Sequence, residues 1–227
     1  MIDTLIFDVD GTLAETEEVH RLAFNRAFSD FGLSWVWDEA LYLDLLAVTG
    51  GKERIGQYLS RETDKGPVTT EAIAALHKRK TEIYTRMVAE GEIALRPGIA
   101  EFLARARERG LTLAIATTTT PANVEALLLA TLGAQWRDVF PVVVAGDMVS
   151  RKKPAPDVYV LALRLLGKPA ENCVAIEDSR NGVLSALAAG LRVIAVRSAF
   201  SDSDFTGASV KLDDCAGLSL ELLENLA

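Results

Sequence analysis

From Pro97-Gly98 onward the chain alternates short apolar runs with amphipathic stretches, and this alternation constrains the fold more than any other feature. The spacing predicts a helix over 99–109 that stops at Gly110, then an apolar strand over 111–116. A helix over 122–132 precedes Gly133, and Val142-Val143-Val144 is short and β-branched. The same alternation continues with a helix over 156–166, a strand over 174–176, a helix over 183–189, a strand over 192–196 and a last short strand over 210–212. Near the start, Leu5-Ile6-Phe7 is another apolar run, and it feeds directly into Asp8-Val9-Asp10-Gly11-Thr12. Apolar strands alternating with helices of about ten residues argue an α/β fold, a Rossmann-like parallel sheet covered by helices on both faces.

Residues 15–91 differ in character. They carry helical spacing in Val19, Leu22, Ala23 and Ala27, and again in Ile73, Leu76, Lys80, Ile83, Tyr84 and Met87, with breaks at Gly32, Gly50-Gly51 and Gly66-Pro67. Strand signals are few there, so the expectation is a small all-helical domain over 15–91, inserted after the first strand. The α/β core is then 1–14 together with 92–227.

With 227 residues, 49% hydrophobic and 25% charged, the chain is long enough for a large core and too apolar for disorder. A net charge of -8 disfavours a nucleic-acid surface, although it allows a small basic pocket for an anionic metabolite. Cys173 and Cys215 have no metal-ligand spacing, and Cys173 opens an apolar run and reads as a buried thiol. No basic, apolar leader and no stretch of membrane-spanning length is seen, so a cytoplasmic protein with no membrane partner is expected. A monomer is expected.

Ligands of parallel α/β sheets bind beyond the carboxyl ends of the strands. Asp8 and Asp10 follow the first strand, Thr117 the second, and Glu177-Asp178 the strand over 174–176, so three polar clusters gather on one edge if these strands are neighbours. Read alone, Asp8 to Thr12 has a capped turn as its alternative reading. Carboxylates as close as Asp8, Asp10, Glu177 and Asp178 repel one another, and a hard divalent cation removes that repulsion. Magnesium suits such oxygen donors, whereas zinc would call for Cys or His. Alternation along an extended chain points Asp8 and Asp10 in different directions. One can face the metal and a transferring phosphorus while the other reaches the leaving or attacking oxygen, as covalent catalysis with a carboxylic acid/base requires.

Lys153 sits in a loop stiffened by Pro154 and Pro156, which suits neutralisation of phosphate charge; the alternative is a solvated basic loop before a helix. Thr120 and Pro121 read as the N-cap and first residue of a helix, which leaves Thr117 to donate its hydroxyl. Lys80 has the phase of an inward position but reads better as solvated.

These residues, in this order, resemble the four motifs of the haloacid-dehalogenase-like superfamily. Asp8-Val9-Asp10-Gly11-Thr12 resembles the first, Thr117 in Ala116-Thr117-Thr118-Thr119 the second, Lys153-Pro154-Ala155-Pro156-Asp157 the third, and Glu177-Asp178-Ser179 the fourth. The resemblance implies Asp8 as phosphorylated nucleophile and Asp10 as acid/base, with Thr117, Lys153 and a magnesium ion held at Asp8, Asp10, Glu177 and Asp178. The superfamily's dehalogenases lack the second aspartate, so Asp10 disfavours them. The helical insert resembles the small cap of the subfamily that contains β-phosphoglucomutase and phosphoglycolate phosphatase. Glu15-Thr16-Glu17-Glu18-Val19-His20 and Thr49-Gly50-Gly51-Lys52-Glu53-Arg54 are closest to its CbbY group, which accompanies Calvin-cycle genes.

That group implies removal of a phosphate from a sugar bisphosphate, chiefly xylulose 1,5-bisphosphate. Glu17, His20, Gly50, Gly51, Lys52, Arg54, Thr118, Arg180 and Asn181 would then contact substrate, with Lys52 and Arg54 meeting the distal phosphate. Charge alone would make Lys52 and Arg54 a solvated first turn, and Asn181 is equally a cap for the helix after it. A sugar phosphomutase shares the first half-reaction, and phosphoglycolate phosphatase is a further alternative. A non-catalytic metabolite-binding domain would not need Asp8, Asp10, Lys153 and Asp178 together.

Overall fold

The computed structural model describes residues 1–61, 68–91, 93–201 and 204–226; the expected break at Gly66-Pro67 lies outside them. Strands β1 (Thr4–Phe7), β2 (Thr112–Ala116), β3 (Val142–Val144), β4 (Cys173–Glu177), β5 (Arg192–Val196) and β6 (Val210–Leu212) form one sheet in the order β3-β2-β1-β4-β5-β6. Every pairing in it is parallel.

The strand sequences show why both faces are covered. Side chains alternate across a strand. Leu5 and Phe7 of β1, with Val174 and Ile176 of β4, enter the core on one face; Ile6, Cys173 and Ala175 enter the core on the other. The first core is closed by α5 (Ile99–Glu108), α6 (Pro121–Leu132), α7 (Trp136–Val139) and α10 (Leu220–Glu224), through residues such as Phe102, Leu127, Trp136 and Leu223. The second is closed by α8 (Asp157–Leu166) and α9 (Arg180–Ala188), through Val158, Tyr159, Ala162, Val183 and Ala186. Cys173 is buried, as expected.

Between β1 and α5 the described residues form only helices: α1 (Glu17–Asp30), α2 (Glu39–Leu45), α3 (Gly51–Arg61) and α4 (Thr70–Ala89). They have an apolar centre of their own. Phe24, Phe28, Trp35, Trp37, Tyr42 and Tyr58 pack together, with Phe28 edge-on to Trp35 at 5.3 Å and to Trp37 at 4.9 Å. Helices α1 and α4 share a second cluster that includes Ala23, Tyr84 and Met87. No helix among the described residues is long and apolar enough to cross a membrane.

Helix boundaries follow local chemistry. Thr120 caps α6 by accepting from the Asn123 N–H, with Pro121 at the first helical position, as expected. Helix α8 ends at Gly167. Helix α9 starts earlier than the sequence spacing suggests, at Arg180, because the Ser179 hydroxyl caps it by accepting from the Gly182 N–H. Asn181 is therefore not the cap. Truncating Phe28 to Ala should cost about 3–5 kcal/mol, the usual penalty for an emptied aromatic core site; urea denaturation of the variant measures it.

Candidate active site

Strand β1 lies between β2 and β4, so the polar clusters that follow these strands share one sheet edge. Lys153 reaches this edge from the loop before α8. Its Nζ donates to Asp8 Oδ1 at 2.6 Å, to Glu177 Oε1 at 2.6 Å and to the Ala116 carbonyl at 2.9 Å. All the ammonium protons are thereby used. Lys153 is buried, so the loop is not a solvated basic one. Burial alone would lower its pKa, but the Asp8 and Glu177 carboxylates outweigh burial and hold it above the ordinary lysine range.

Burial pushes the Asp8 carboxyl up to about 7 against the pull of Lys153, with the charges of Glu177 and Asp10 adding to the rise. Asp178 is also pushed well up, by burial and then by Asp8 and Glu177. Ligand atoms of Asp8, Glu177 and Asp178 all lie within 4.8 Å of one another. Buried oxygen donors whose negative charges repel one another fit a hard divalent cation, which stabilises the ionised forms together. The three are not equivalent. Glu177 is fully buried, and its Oε1 accepts from Lys153 and from the Tyr159 hydroxyl at 2.6 Å. Asp8 and Asp178 line the adjoining cavity and Glu177 does not.

Asp10 turns its side chain away from this cluster toward the helical insert. Its Oδ1 accepts from the Thr16 hydroxyl at 2.5 Å and lies 3.0 Å from His20 Nε2. Burial would raise its pKa, but His20, the Thr16 hydrogen bond and Lys80 bring it down to about 2. His20 is buried, stacked on Tyr84 at 4.0 Å, with Nδ1 2.6 Å from Lys80 Nζ. Burial and then Lys80 lower the imidazole pKa despite Asp10. A neutral ring satisfies both contacts if Nε2–H donates to Asp10 and Nδ1 accepts from Lys80.

Lys80 corrects the sequence reading: it is buried, not solvated. Its Nζ lies 4.7 Å from the Phe24 ring centroid and 5.1 Å from that of Tyr84. Aromatic faces substitute partly for water around the ammonium. Burial, with Arg54 adding, lowers its pKa to about 7 although Asp10 and Glu17 oppose this.

Glu17 and Arg54 meet through Tyr42, whose hydroxyl donates to Glu17 Oε2 at 2.6 Å and accepts from Arg54 Nη1 at 2.9 Å. Arg54 is buried, and its Nε has no hydrogen-bond partner among the described residues. Lys52 stands half-exposed, 3.7 Å from Asp147. Thr117 is buried and its Oγ1 accepts from the Thr119 N–H at 3.3 Å. Arg180 pairs with Asp204. The Asn181 amide donates to the Ala47 carbonyl at 3.0 Å and to Thr49 Oγ1 at 3.1 Å, joining α9 to the loop before Gly50.

A cavity of about 650 Å³ unites these groups. Asp8, Asp10, Thr117, Thr118, Lys153, Asp178, Arg180 and Asn181 line it from the sheet side, and Glu17, His20, Gly50, Gly51, Lys52 and Arg54 from the helical side. All the candidate site residues except Glu177 therefore share one space. His77, Asp147 and Lys80 line it too, and the sequence reading gave them no role in the site. His77 had a usable signal, since it stands one helical turn from the inward position 80 on α4. Its imidazole is held down to about 3 by burial and then by Lys80, Lys52, His20 and Arg54.

Comparison with known proteins agrees with this geometry. The haloacid dehalogenase-like hydrolase model matches residues 2–190. Protein CbbY of Cereibacter sphaeroides is 51% identical over 219 residues, covering 96% of this chain and 94% of its own. The crystal structure of CbbY from Rhodobacter sphaeroides in complex with phosphate superposes with a TM-score of 0.93 at 50% identity, covering 99% of this chain and 100% of the other. A mutant of that protein in complex with xylulose-(1,5)bisphosphate gives a TM-score of 0.91 at 51% identity, covering 96% and 97%. The chain belongs to the haloacid dehalogenase-like hydrolase family and, within it, to the phosphatases of the CbbY group.

The buried Lys80 has a thermodynamic signature. An unfolded lysine keeps its proton at alkaline pH, whereas Lys80, with a folded pKa near 7, has released it, so the unfolded state binds more protons. Stability should therefore rise between about pH 7 and pH 9 in the wild type, and Lys80→Met should flatten that rise. Thermal unfolding midpoints across this range measure the effect.

Proposed function

We propose that the protein is a magnesium-dependent sugar-bisphosphate phosphatase, that it works through an aspartyl phosphate on Asp8, and that it converts xylulose 1,5-bisphosphate to xylulose 5-phosphate and phosphate. The observation that carries this reading is the two-ended cavity: Asp8, Lys153 and Asp178 at the sheet edge, and Lys52 and Arg54 on the facing helices. A bisphosphate has an anionic group for each end. The CbbY protein that binds xylulose-(1,5)bisphosphate is half identical to this chain and supports the choice of sugar. Residues 15–91 act as a cap over a catalytic core made of 1–14 and 92–227, excluding water and reading the part of the substrate distant from the reaction.

Lys153 neutralises the phosphate to be transferred. Magnesium held by Asp8 and Asp178 beside Glu177 would supply further neutralisation of the phosphate oxygens. An Asp8 oxygen attacks phosphorus in line as the bond to the sugar oxygen breaks, and Asp10 gives that oxygen its proton. Asp10 is ionised in the ligand-free arrangement, and the dianionic phosphate beside it raises its pKa toward the protonated form this step needs. Asp10 then takes a proton from water, which attacks the phosphorus of the aspartyl phosphate and releases inorganic phosphate and the Asp8 carboxylate. The Asp10 side chain faces Thr16 and His20, which suits an acid/base better than a metal ligand. Among the cap residues, the Arg54 guanidinium is pre-oriented by Tyr42 at the cavity wall, where it meets the distal phosphate. Lys52 must exchange Asp147 for substrate.

Asp8→Asn should abolish turnover in a protein of unchanged circular dichroism; near-normal turnover would rule out the covalent route. Among xylulose 1,5-bisphosphate, ribulose 1,5-bisphosphate, fructose 1,6-bisphosphate, β-glucose 1-phosphate and phosphoglycolate, kcat/KM with magnesium should be highest for the first. Comparable rates on ribulose and xylulose bisphosphates would overturn the substrate assignment. An isomerised sugar phosphate in place of inorganic phosphate would identify a mutase.

A further inference from the structure

Arg96 lies where the chain returns from the helical insert to the sheet, and no step of the proposed mechanism uses it. It is a buried charge, 8% exposed. Its backbone N–H donates to the Leu13 carbonyl at 2.9 Å, and its neighbour Leu95 bridges antiparallel to Ala14. The outgoing and returning linkers of the insert are thus paired at this point.

The guanidinium is used at three points. Nη1 donates to the Gly11 carbonyl, Nη2 donates to the Arg197 carbonyl, and Nε lies 3.1 Å from Glu15 Oε1 in the outgoing linker. The two carbonyls belong to different loops, one after β1 and one after β5. Both loops close on the same side chain, Asp178. Gly11 has φ +77°, and a Cβ there would stand 2.0 Å from Asp178 Oδ2, so this carboxylate is seated directly on the glycine. Ser198, which follows Arg197, donates its hydroxyl to Asp178 Oδ2 at 2.6 Å.

We propose that Arg96 is a positioning residue that sets the orientation of Asp178 by holding the Gly11 and Arg197 carbonyls at a fixed separation, and that it thereby governs metal affinity at Asp178. A planar fork with donors pointing in several directions spans two carbonyls and a carboxylate at once, which a lysine cannot do. Partners that orient a metal ligand commonly change affinity by about 10- to 100-fold when removed. Because Glu15 and Leu95 tie Arg96 to both linkers, the support of Asp178 is mechanically continuous with the hinge of the insert.

The inference rests on the proposal of a magnesium site at Asp8 and Asp178. Magnesium chloride titrated calorimetrically into substrate-free wild type, Arg96→Lys and Ser198→Ala separates the two. Circular dichroism and thermal midpoints identify the folded variants, and Ser198→Ala, which loses one oxygen, tests the loop after β5 without removing a buried charge. Both variants should bind magnesium about 10-fold or more weakly. Affinities within twofold of wild type in both would overturn the inference and leave the metal site standing. Weaker binding in Ser198→Ala with wild-type binding in Arg96→Lys would overturn the part assigned to Arg96. Absence of binding to the wild type itself would overturn the metal site and this inference together.

Discussion

The buried contact of Lys153 with Asp8 and Glu177 is the interaction on which the site depends. It gathers the ends of β1 and β4 and the loop before α8 around one ammonium group, and the Ala116 carbonyl brings in the end of β2. Taking charges out of water is costly, so such a cluster persists only when every proton and lone pair is met; removing one partner of a buried pair costs about 3–5 kcal/mol. Tyr159 completes the set by donating to Glu177 from the side of α8. A Cβ at position 182 would stand 1.9 Å from Glu177 Oε2, so only glycine at that point of α9 leaves room for the carboxylate. The same cluster keeps Asp8 facing the cavity, as the proposed nucleophilic role needs.

Both walls of the cavity carry both signs: the sheet side supplies Asp8, Asp10, Asp147 and Asp178 with Lys152, Lys153 and Arg180, and the helical insert supplies Lys52, Arg54 and Lys80 with Glu17, Asp44 and Glu53. The walls meet where His20 stands between Asp10 and Lys80. A histidine held neutral between an ammonium and a carboxylate links Asp10 at the sheet edge to a lysine on the insert through one hydrogen-bonded chain. A negatively charged protein can thus still bring ammonium and guanidinium groups to one cavity.

The sheet was legible because β1 to β5 are largely apolar runs with a glycine, a proline or an acidic residue close by on at least one side, a pattern that depends on few neighbours. The Thr120-Pro121 helix start was legible for the same reason: the cap is made within one turn. The misreadings have a common cause. Asn181 was open to a capping role, but Ser179 caps the helix and Asn181 reaches the loop before Gly50, far away in sequence. Lys80 reads as solvated because a lysine on a helix normally is; Phe24, Tyr84 and His20 surround it only after α1 and α4 pack. Tyr159, Tyr42 and Ser198 carry no local sign of the hydrogen bonds they make to Glu177, to Glu17 and Arg54, and to Asp178.

By itself the sequence determined the parallel α/β core, the helical insert after the first strand, and the gathering of Asp8, Asp10, Thr117, Lys153 and Asp178 at one site. Strand and helix periodicity, and short ordered motifs at strand ends, are local properties that a linear chain displays. Only the tertiary structure decided that Glu177, outside the cavity, anchors Lys153 at its wall, that Asp10 faces His20 and Thr16, and that Arg96 braces the seat of Asp178. Those outcomes depend on burial and on partners 6 to 101 residues apart along the chain. Desolvation and hydrogen-bond pairing act on groups brought together in space, whatever their separation along the chain.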